Sequence, residues 1–418
     1  MGGMPVQYKS SNQVEKLLSV FDFIVIGKGM IGSAATRVLS QVKGDVAVIG
    51  PDEPEDIASH RGVFASHYDQ GRVTRVLDDD PVWAILAKRS IEMYPSIESE
   101  SGINFHYPVG GLKVWQLSGD SCDDLELNLD AGRELGVDFE ELSEKELRSR
   151  FPFFSFASGS VGVFERGGAG FINPRELIRA QLSLAENSGA TIVRETATDV
   201  EISSDGCTVR TLEGNLFEAR KVLIATGAFT GCYSLLQGRR LETTVNPSAV
   251  LLAEVEGAEL ERLSKMPTLI HRPLLEAGHP YSYRVPPTTY PDGRSYLKIG
   301  LSDYRSDQKV YSPEEIGEWF RNGPDEKTVR DTKCALDAVM PDLKAKSLIV
   351  KPCATTDTSS DHPYIDVVEP NRLFVAVGGC GHSAKSSVAI GSLAADLIEN
   401  GRWESDLDPA LFQVRWDR

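Results

Sequence analysis

The feature that most constrains the fold is a glycine-rich turn between an apolar run and a helix-like pattern. Residues 21–26 are mostly apolar, as expected of a strand buried on both faces. Gly27-Lys28-Gly29-Met30-Ile31-Gly32 follows directly, and apolar residues then recur at the spacing of one helix face. A second apolar run occupies residues 46–49. The order of strand, glycine turn, helix and strand predicts a βαβ unit.

The three glycines of this turn meet the requirements of a phosphate-binding loop. Gly27 permits a tight turn, Gly29 lets the backbone approach a pyrophosphate, and Gly32 lets the helix pack closely on the strand. The amides of Met30 and Ile31, at the helix N-terminus, add partial positive charge toward phosphate groups. We therefore predict that this Rossmann-like unit binds a dinucleotide.

The end of the second strand departs from the usual dinucleotide pattern. Gly50-Pro51 stands where an acidic residue normally binds the ribose, and Asp52 and Glu53 follow slightly late. We expect Asp52 or backbone groups to contact the ribose instead. The missing acid also argues against a simple NAD site.

The composition is that of a globular protein large enough for two domains. The chain has 418 residues, of which 41% are hydrophobic and 25% are charged. Its 44 Lys and Arg against 61 Asp and Glu give a net charge of −17, which disfavours nucleic acid and anionic membrane surfaces as partners. No apolar run reaches transmembrane length, and residues 1–20 lack a signal peptide's apolar centre. The six cysteines show no CxxC spacing, so we expect no metal centre and a cytoplasmic location.

Nucleotide-binding character recurs along the chain and is interrupted twice. A buried strand at residues 221–227 ends in small residues, and another at 373–377 leads into Gly378-Gly379-Cys380-Gly381-His382. Residues 237–345 instead show alternating strands, proline and glycine turns, and a charged helical stretch at 313–339. We predict an α/β plus α+β fold, in which a Rossmann-like domain is interleaved with a substrate domain built on an antiparallel sheet. The expected boundaries are 20–95, 155–236 and 346–418 for the nucleotide-binding domain, and 96–154 and 237–345 for the substrate domain.

Seven segments carry a resemblance to a known family. They are GKGMIGSAATRVL (27–39), SHYDQGRVTR (66–75), GGAGFINPRELIRA (167–180), KVLIATGAF (221–229), YLKIG (296–300), KPCATTDTSSDHPYID (351–366) and GGCGHSAK (378–385). With them the chain resembles the flavin-dependent amine oxidases of the D-amino-acid oxidase superfamily. The branch it resembles most contains monomeric sarcosine oxidase, N-methyltryptophan oxidase and fructosyl amino acid oxidase. The resemblance runs from Asp22 to about Asn400 and implies FAD as the cofactor.

The resemblance also implies how the cofactor is held. Cys353 matches a cysteine that forms a thioether to the 8α carbon of the flavin, whereas from the residue alone a buried cysteine is a small hydrophobe. Cys380 matches a position that is not cysteine in the family, so we expect it only to pack. The other implied cofactor contacts are Gly27, Gly29, Met30, Ile31, Gly32, Asp52, Ser66, His67, Arg72, Val200, Thr226, Gly227, Gly378, Gly381, His382 and Lys385.

Two cations match the family residues that hold the substrate carboxylate. Arg75 offers a two-pronged fork and Lys385 a point charge, which suits a carboxylate. The structural alternative is an ordinary ion pair of a surface lysine and a strand-end arginine. Tyr283 is expected to line the same pocket.

Three further side chains are expected near the flavin ring. Arg72 would lie beside it, and His382, at the start of the last helix, would stabilise the negative charge of the reduced ring. Lys298 matches the lysine that faces flavin N5 and promotes the reaction with oxygen. A family histidine four residues after that lysine is replaced by Ser302. Asp78-Asp79-Asp80 is expected to be a solvated charged loop.

The implied reaction is hydride transfer from a C–H bond next to nitrogen to flavin N5, then reoxidation by oxygen to give hydrogen peroxide. The expected substrate is a secondary or N-substituted amino acid, and N-methyl amino acids, cyclic imino acids and sugar–amine adducts all fit. One alternative is a dehydrogenase of the same fold that passes electrons to a carrier. Another is a flavin-binding scaffold without turnover. We expect a monomer.

Overall fold

The computed structural model describes residues 16–117, 120–273, 281–301 and 312–417. Its strands are β1 Lys16–Ile26, β2 Val46–Ile49, β3 Arg72–Thr74, β4 His106–Tyr107, β5 Gly111–Gln116, β6 Phe139–Leu142, β7 Ser160–Glu165, β8 Gly170–Ile172, β9 Thr191–Val193, β10 Ala197–Ile202, β11 Cys207–Thr211, β12 Asn215–Ile224, β13 Thr243–Glu254, β14 Thr268–Arg272, β15 Ser282–Thr289, β16 Ser295–Leu301, β17 Ser347–Thr358, β18 Tyr364–Glu369 and β19 Leu373–Val377. Its α-helices are α1 Met30–Leu39, α2 Pro81–Ser101, α3 Asp120–Glu134, α4 Glu144–Arg150, α5 Pro174–Asn187, α6 Gly257–Arg262, α7 Pro313–Asn322, α8 Glu326–Val339 and α9 Ser383–Asn400. None of these helices combines the length and apolar character needed to cross a bilayer.

The first sheet has the parallel centre predicted from the glycine turn. β1 pairs in parallel with β2 and with β12, and β9 and β19 extend the parallel set. β10, β11 and β18 add antiparallel partners. One face packs Val48 against Leu39 of α1 and Ile390 of α9, while the other buries Ile24 and Val222. A sheet covered on both faces explains why its central strands are almost wholly apolar.

The second sheet has the order β17-β13-β16-β15-β14-β5-β7-β6. Its pairs are antiparallel except for β14 with β5. Leu336 and Val339 of α8 pack against Leu251 and Ile299 on one face of this sheet. The predicted combination of an α/β unit with an antiparallel sheet is therefore confirmed.

The domain boundaries predicted from the sequence need two corrections. β7 and β17 lie within segments assigned to the nucleotide-binding domain, but both pair in the second sheet. An apolar strand pattern shows that a strand is buried, and it does not show which sheet the strand joins. The charged helical stretch predicted at 313–339 consists of two helices, because the chain turns at Gly323 with φ of +72°.

Candidate active site

A long cleft runs across the carboxyl ends of the parallel strands. It encloses about 1530 Å³, a volume that includes space open to solvent. The glycine turn, the 65–68 loop and the segment after β12 line it from the first sheet, and Cys353 of β17 and Phe320 of α7 line it from the other side. Its position at the carboxyl ends of the parallel strands suits a dinucleotide.

The glycine turn has the geometry expected of a pyrophosphate site. Gly27 has φ of +102°, and a Cβ on Gly32 would lie 1.7 Å from the Gly27 carbonyl oxygen, so both positions require glycine. A Cβ on Gly29 would meet no atom nearer than His67 Nδ1 at 3.9 Å. Gly29 is also the N-cap of α1 and makes no side-chain capping bond. The helix N-terminus is therefore open toward the cleft, where a phosphate would bind.

The region expected to bind the ribose is built differently. Asp52 is largely exposed and pairs with Lys28 and with Arg194, the latter at 3.1 Å, and it is not among the residues that line the cleft. Gly50 and Pro51 do line it. A Cβ on Gly50 would lie 2.9 Å from Lys28 Cγ. The Lys28 side chain therefore fills the space next to the position that usually carries the acid.

Cys353 and Arg72 are neighbours in the wall of the cleft. Its side chain is buried and lines the cleft, and Arg72 Nη2 is 3.4 Å from Sγ. Although burial opposes the shift, Cys353 and Asp69 hold the pKa of Arg72 well above its usual value. A permanent positive charge therefore stands beside the sulfur. Cys380, in contrast, contacts Thr358, and burial raises the pKa of its thiol to about 11, which fits the packing role predicted for it.

Arg75 and Lys385 both contact the carboxylate of Asp78. We call Arg75, Asp78, His382 and Lys385 the Asp78 cluster. Asp78 Oδ2 lies 2.7 Å from Lys385 Nζ, 3.1 Å from Arg75 Nη2 and 3.2 Å from His382 Nδ1. Asp78 and Lys385 are fully buried, and Lys385 also donates to the Trp83 carbonyl oxygen. Burial alone would raise the pKa of Asp78, but Lys385, His382 and Arg75 together hold it well below its usual value.

The expectation of a solvated loop at 78–80 is wrong. Asp78 is inside the protein, and Asp80 is the N-cap of α2, where it accepts from Val82 N and Trp83 N. His362 Nε2 lies 2.7 Å from the other Asp80 oxygen. Three adjacent acids look like a solvated run because their counter-ions come from residues far along the chain. The spacing of Arg75 and Asp78, three residues apart, was the available local signal.

Lys298 is buried and also meets a carboxylate. It donates to Asp69 and to the Gly71 carbonyl oxygen, and its ammonium lies 5.4 Å from the centre of the Tyr283 ring. Asp69 accepts from Tyr290 at 2.8 Å. Lys298 and Arg72 outweigh burial and lower the pKa of Asp69. The charge of Lys298 is therefore balanced within the protein, and sequence reasoning missed Asp69 because nothing local marks it as the partner.

The cleft brings together most of the predicted cofactor residues. Those that line it are Gly27, Gly29, Met30, Ile31, Ser66, His67, Arg72, Thr226, Gly227, Cys353, Gly378 and Gly381. Those that lie outside its lining are Gly32, Arg75, Tyr283, Lys298, His382, Lys385, Asp52 and Val200. Val200 is instead buried in the core of the first sheet, and Thr196 and Ala197 line the cleft nearby. Ser302 lies outside the described residues.

Comparisons with known proteins agree with this geometry. N-methyl-L-tryptophan oxidase of Escherichia coli O139:H28 is 24% identical over 404 residues, which cover 93% of this chain and 98% of that protein. Monomeric sarcosine oxidase of Bacillus sp. (strain B-0618) is 26% identical over 402 residues, 94% of this chain and 95% of that protein. The solved structure of NikD, an unusual amino acid oxidase essential for nikkomycin biosynthesis, has 18% identity and a TM-score of 0.73, and the match covers 96% of this chain and 98% of that one.

The family itself is established by a match along most of the chain. The model of the DAO family, described as FAD dependent oxidoreductase, matches residues 22–397. This range includes the glycine turn, every strand except the first residues of β1, and most of α9. The flavoenzyme predicted from the sequence motifs is thereby confirmed, and the chain belongs to the DAO family of FAD-dependent oxidoreductases.

Proposed function

We propose that this enzyme oxidises the C–N bond of a secondary or N-substituted amino acid or a close derivative, and that oxygen then takes up the electrons to give hydrogen peroxide. The observation that carries the proposal is the pair of buried cations, Arg75 and Lys385, beside the cleft that fits FAD. Ser383 and Ala384, which directly precede Lys385 in the first turn of α9, line that cleft. Sarcosine and N-methyl-L-tryptophan, named in two relatives, are both N-methyl amino acids.

The protein's part in this reaction is to position the substrate. FAD, when bound, would supply the acceptor for a hydride from the C–H bond next to nitrogen. Arg75 and Lys385 would bind the acid-derived end of the substrate, the first through its planar fork and the second as a point charge. The N-terminus of α9 directs its dipole to the same region. Holding two reactants in this way can contribute about 7–11 kcal/mol to lowering a barrier.

Covalent attachment through Cys353 is part of the proposal. The sulfur is buried in the cleft wall, and Arg72 is next to it. A positive neighbour favours the thiolate, which is the reactive form of a cysteine. The glycine turn at the other end of the cleft would hold the pyrophosphate.

One observation favours a second candidate, a dehydrogenase that passes electrons to a carrier. The ammonium of Lys298 is paired with Asp69 and buried. A cation that is already neutralised gives less stabilisation to the negative charge that develops on oxygen. Slow reoxidation in air would follow from this pairing.

Anaerobic reduction of the flavin tests both candidates. Purified holoenzyme would be mixed without oxygen with N-methyl amino acids, cyclic imino acids and fructosyl amines, and the flavin absorbance followed. We expect at least one secondary amine to bleach the flavin, while the matching primary amino acid does so more slowly. Admission of air then separates the candidates, because an oxidase regains its colour and forms peroxide whereas a dehydrogenase stays reduced. If no amine bleaches the flavin, the proposed function is wrong.

A further inference from the structure

The anion position between Arg75 and Lys385 already holds a carboxylate of the protein itself. Asp78 Oδ2 accepts from Lys385 at 2.7 Å and from Arg75 at 3.1 Å. Asp78 is completely buried, so water does not screen its charge. A carboxylate that entered between the same two cations would have to displace Asp78 or lie against it.

The remaining hydrogen-bonding capacity of the cluster suits a neutral acceptor. Arg75 and Lys385 each already direct one donor to Asp78 Oδ2, and His382 contacts the same oxygen. Arg75 Nε is buried and has no hydrogen-bond partner in the ranges that the structure describes. A buried donor without a partner is costly, and a substrate carbonyl oxygen that reached it would satisfy it without bringing a second negative charge to Asp78.

We propose that Asp78 determines the specificity of this enzyme, and that it favours N-substituted amino acid derivatives whose carboxyl group is an amide or ester over those with a free carboxylate. This inference rests on the proposed function, because it assigns the substrate's acid-derived end to Arg75 and Lys385. Asp78 acts as a built-in competitor for a free carboxylate, whereas the carbonyl of an amide or ester binds to Arg75 Nε beside it.

Acetate and acetamide test the inference, because they have nearly the same shape and differ in charge. Binding of each to the holoenzyme would be measured from the perturbation of the flavin absorbance and from the shift in Tm. The wild-type protein is expected to bind acetamide at least as tightly as acetate. In the Asp78→Ala variant the vacated space and the two freed cations should lower the Kd of acetate by about tenfold or more, a change of the size that one close charge produces. The Kd of acetamide should change little.

Asp80→Ala serves as the matched control. It removes an acid from the same loop and the N-cap of α2, so it destabilises the protein without freeing Arg75 or Lys385. Acetate should raise the Tm of Asp78→Ala and leave that of Asp80→Ala unchanged. If Asp78→Ala does not fold, Asp78→Asn keeps the shape, removes the charge and should still bind acetate more tightly than the wild-type protein does.

Two results would overturn the inference. One is a wild-type protein that binds acetate about tenfold more tightly than acetamide. The other is a folded Asp78 variant with an unchanged affinity for acetate. Neither result depends on turnover, so the inference and the proposed function fail in different experiments.

Discussion

Single residues in this protein are organised around two buried carboxylates from one short segment. Asp69 holds Lys298, and Asp78 holds Arg75 and Lys385. Removing one partner of a buried ion pair typically costs about 3–5 kcal/mol, because the other charge is left uncompensated. The cations predicted to act on substrate and oxygen are therefore also part of what keeps this region folded.

At Cys353 we expect the flavin to be bound covalently. Acid-precipitated wild-type protein should stay yellow, and the Cys353→Ser variant should release its colour into the supernatant, because serine cannot form the thioether. Cys380→Ser, which changes a cysteine that contacts Thr358, should keep its colour in the pellet. A colourless wild-type pellet would contradict the covalent bond while leaving FAD binding intact.

Lys113 should make the stability of the protein depend on pH. Its ammonium is buried and donates to Asn128, and burial, with the nearby Arg75, lowers its pKa to about 7. Between that value and the usual 10.5 the folded state binds fewer protons than the unfolded state, so stability rises with pH, by at most about 1.4 kcal/mol per pH unit. Urea unfolding at about pH 7.5 and about pH 9.5, which both lie inside this window, would measure the rise in stability.

Comparison with variants isolates the lysine, since one variant removes Lys113 and the other removes a lysine elsewhere on the protein. Lys113→Met should show a smaller gain in stability between the two pH values than the wild-type protein. Lys88→Met, a partly exposed surface lysine paired with Glu92, should keep the wild-type gain. An equal gain in all three proteins would show that Lys113 titrates normally.

At the scale of elements, different glycines of the turn serve the fold and the ligand. Gly32 has no room for a side chain because α1 lies against the turn, whereas Gly29 faces open space. The two positions should therefore respond differently to the same added methyl group.

We expect Gly32→Ala to unfold at a clearly lower temperature even without cofactor, because the added Cβ would lie 1.7 Å from a carbonyl oxygen. Gly29→Ala should keep the Tm of the cofactor-free protein and lose affinity for FAD, because its methyl group would occupy the approach of the pyrophosphate. Calorimetry of the apoproteins and titration with FAD would measure both. Equal loss of Tm in the two variants would show that Gly29 serves only the fold.

Elements with strong local patterns could be predicted from the sequence, and their partners could not. The strands Val46–Ile49 and Leu373–Val377 have the bounds that their apolar runs predicted. The sheet joined by β17 was missed, because pairing with β13 depends on residues about one hundred positions away. The burial of Asp78 was missed for the same reason, since Lys385 lies 307 residues further along. Family motifs identified residues of the cleft, whereas the carboxylates that neutralise its cations needed the structure.

At the scale of the whole molecule, the cleft lies between the first and second sheets, and residues of both sheets line it. Phe64 stacks on Phe320 of α7 at 4.8 Å on one side of it, and Trp319 donates to the Cys353 carbonyl oxygen at 2.7 Å. Since both sheets supply cleft residues, a cofactor bound there should stabilise them together.

We expect FAD-free Cys353→Ser protein to gain about 2.7 kcal/mol of stability when FAD is added at one hundred times its Kd. Unfolding should remain one transition, with tryptophan fluorescence and far-UV circular dichroism changing at the same temperature. NAD, which shares the adenine half, should give no comparable shift. Two separate transitions, only one of them moved by FAD, would contradict the coupling.

β17 connects Cys353 with the loop that leads into α9. The strand runs the length of β13, carries Cys353 midway, and then accepts the amides of Gly379 and Cys380 at the Thr356 carbonyl oxygen. A flavin ring bonded to that sulfur would be attached to β17, the same strand that holds the loop before α9 by hydrogen bonds. A displacement of β17 would then move the flavin and the start of α9 together. The distance between the flavin and a substrate bound at Lys385 would therefore be maintained when other parts of the protein move.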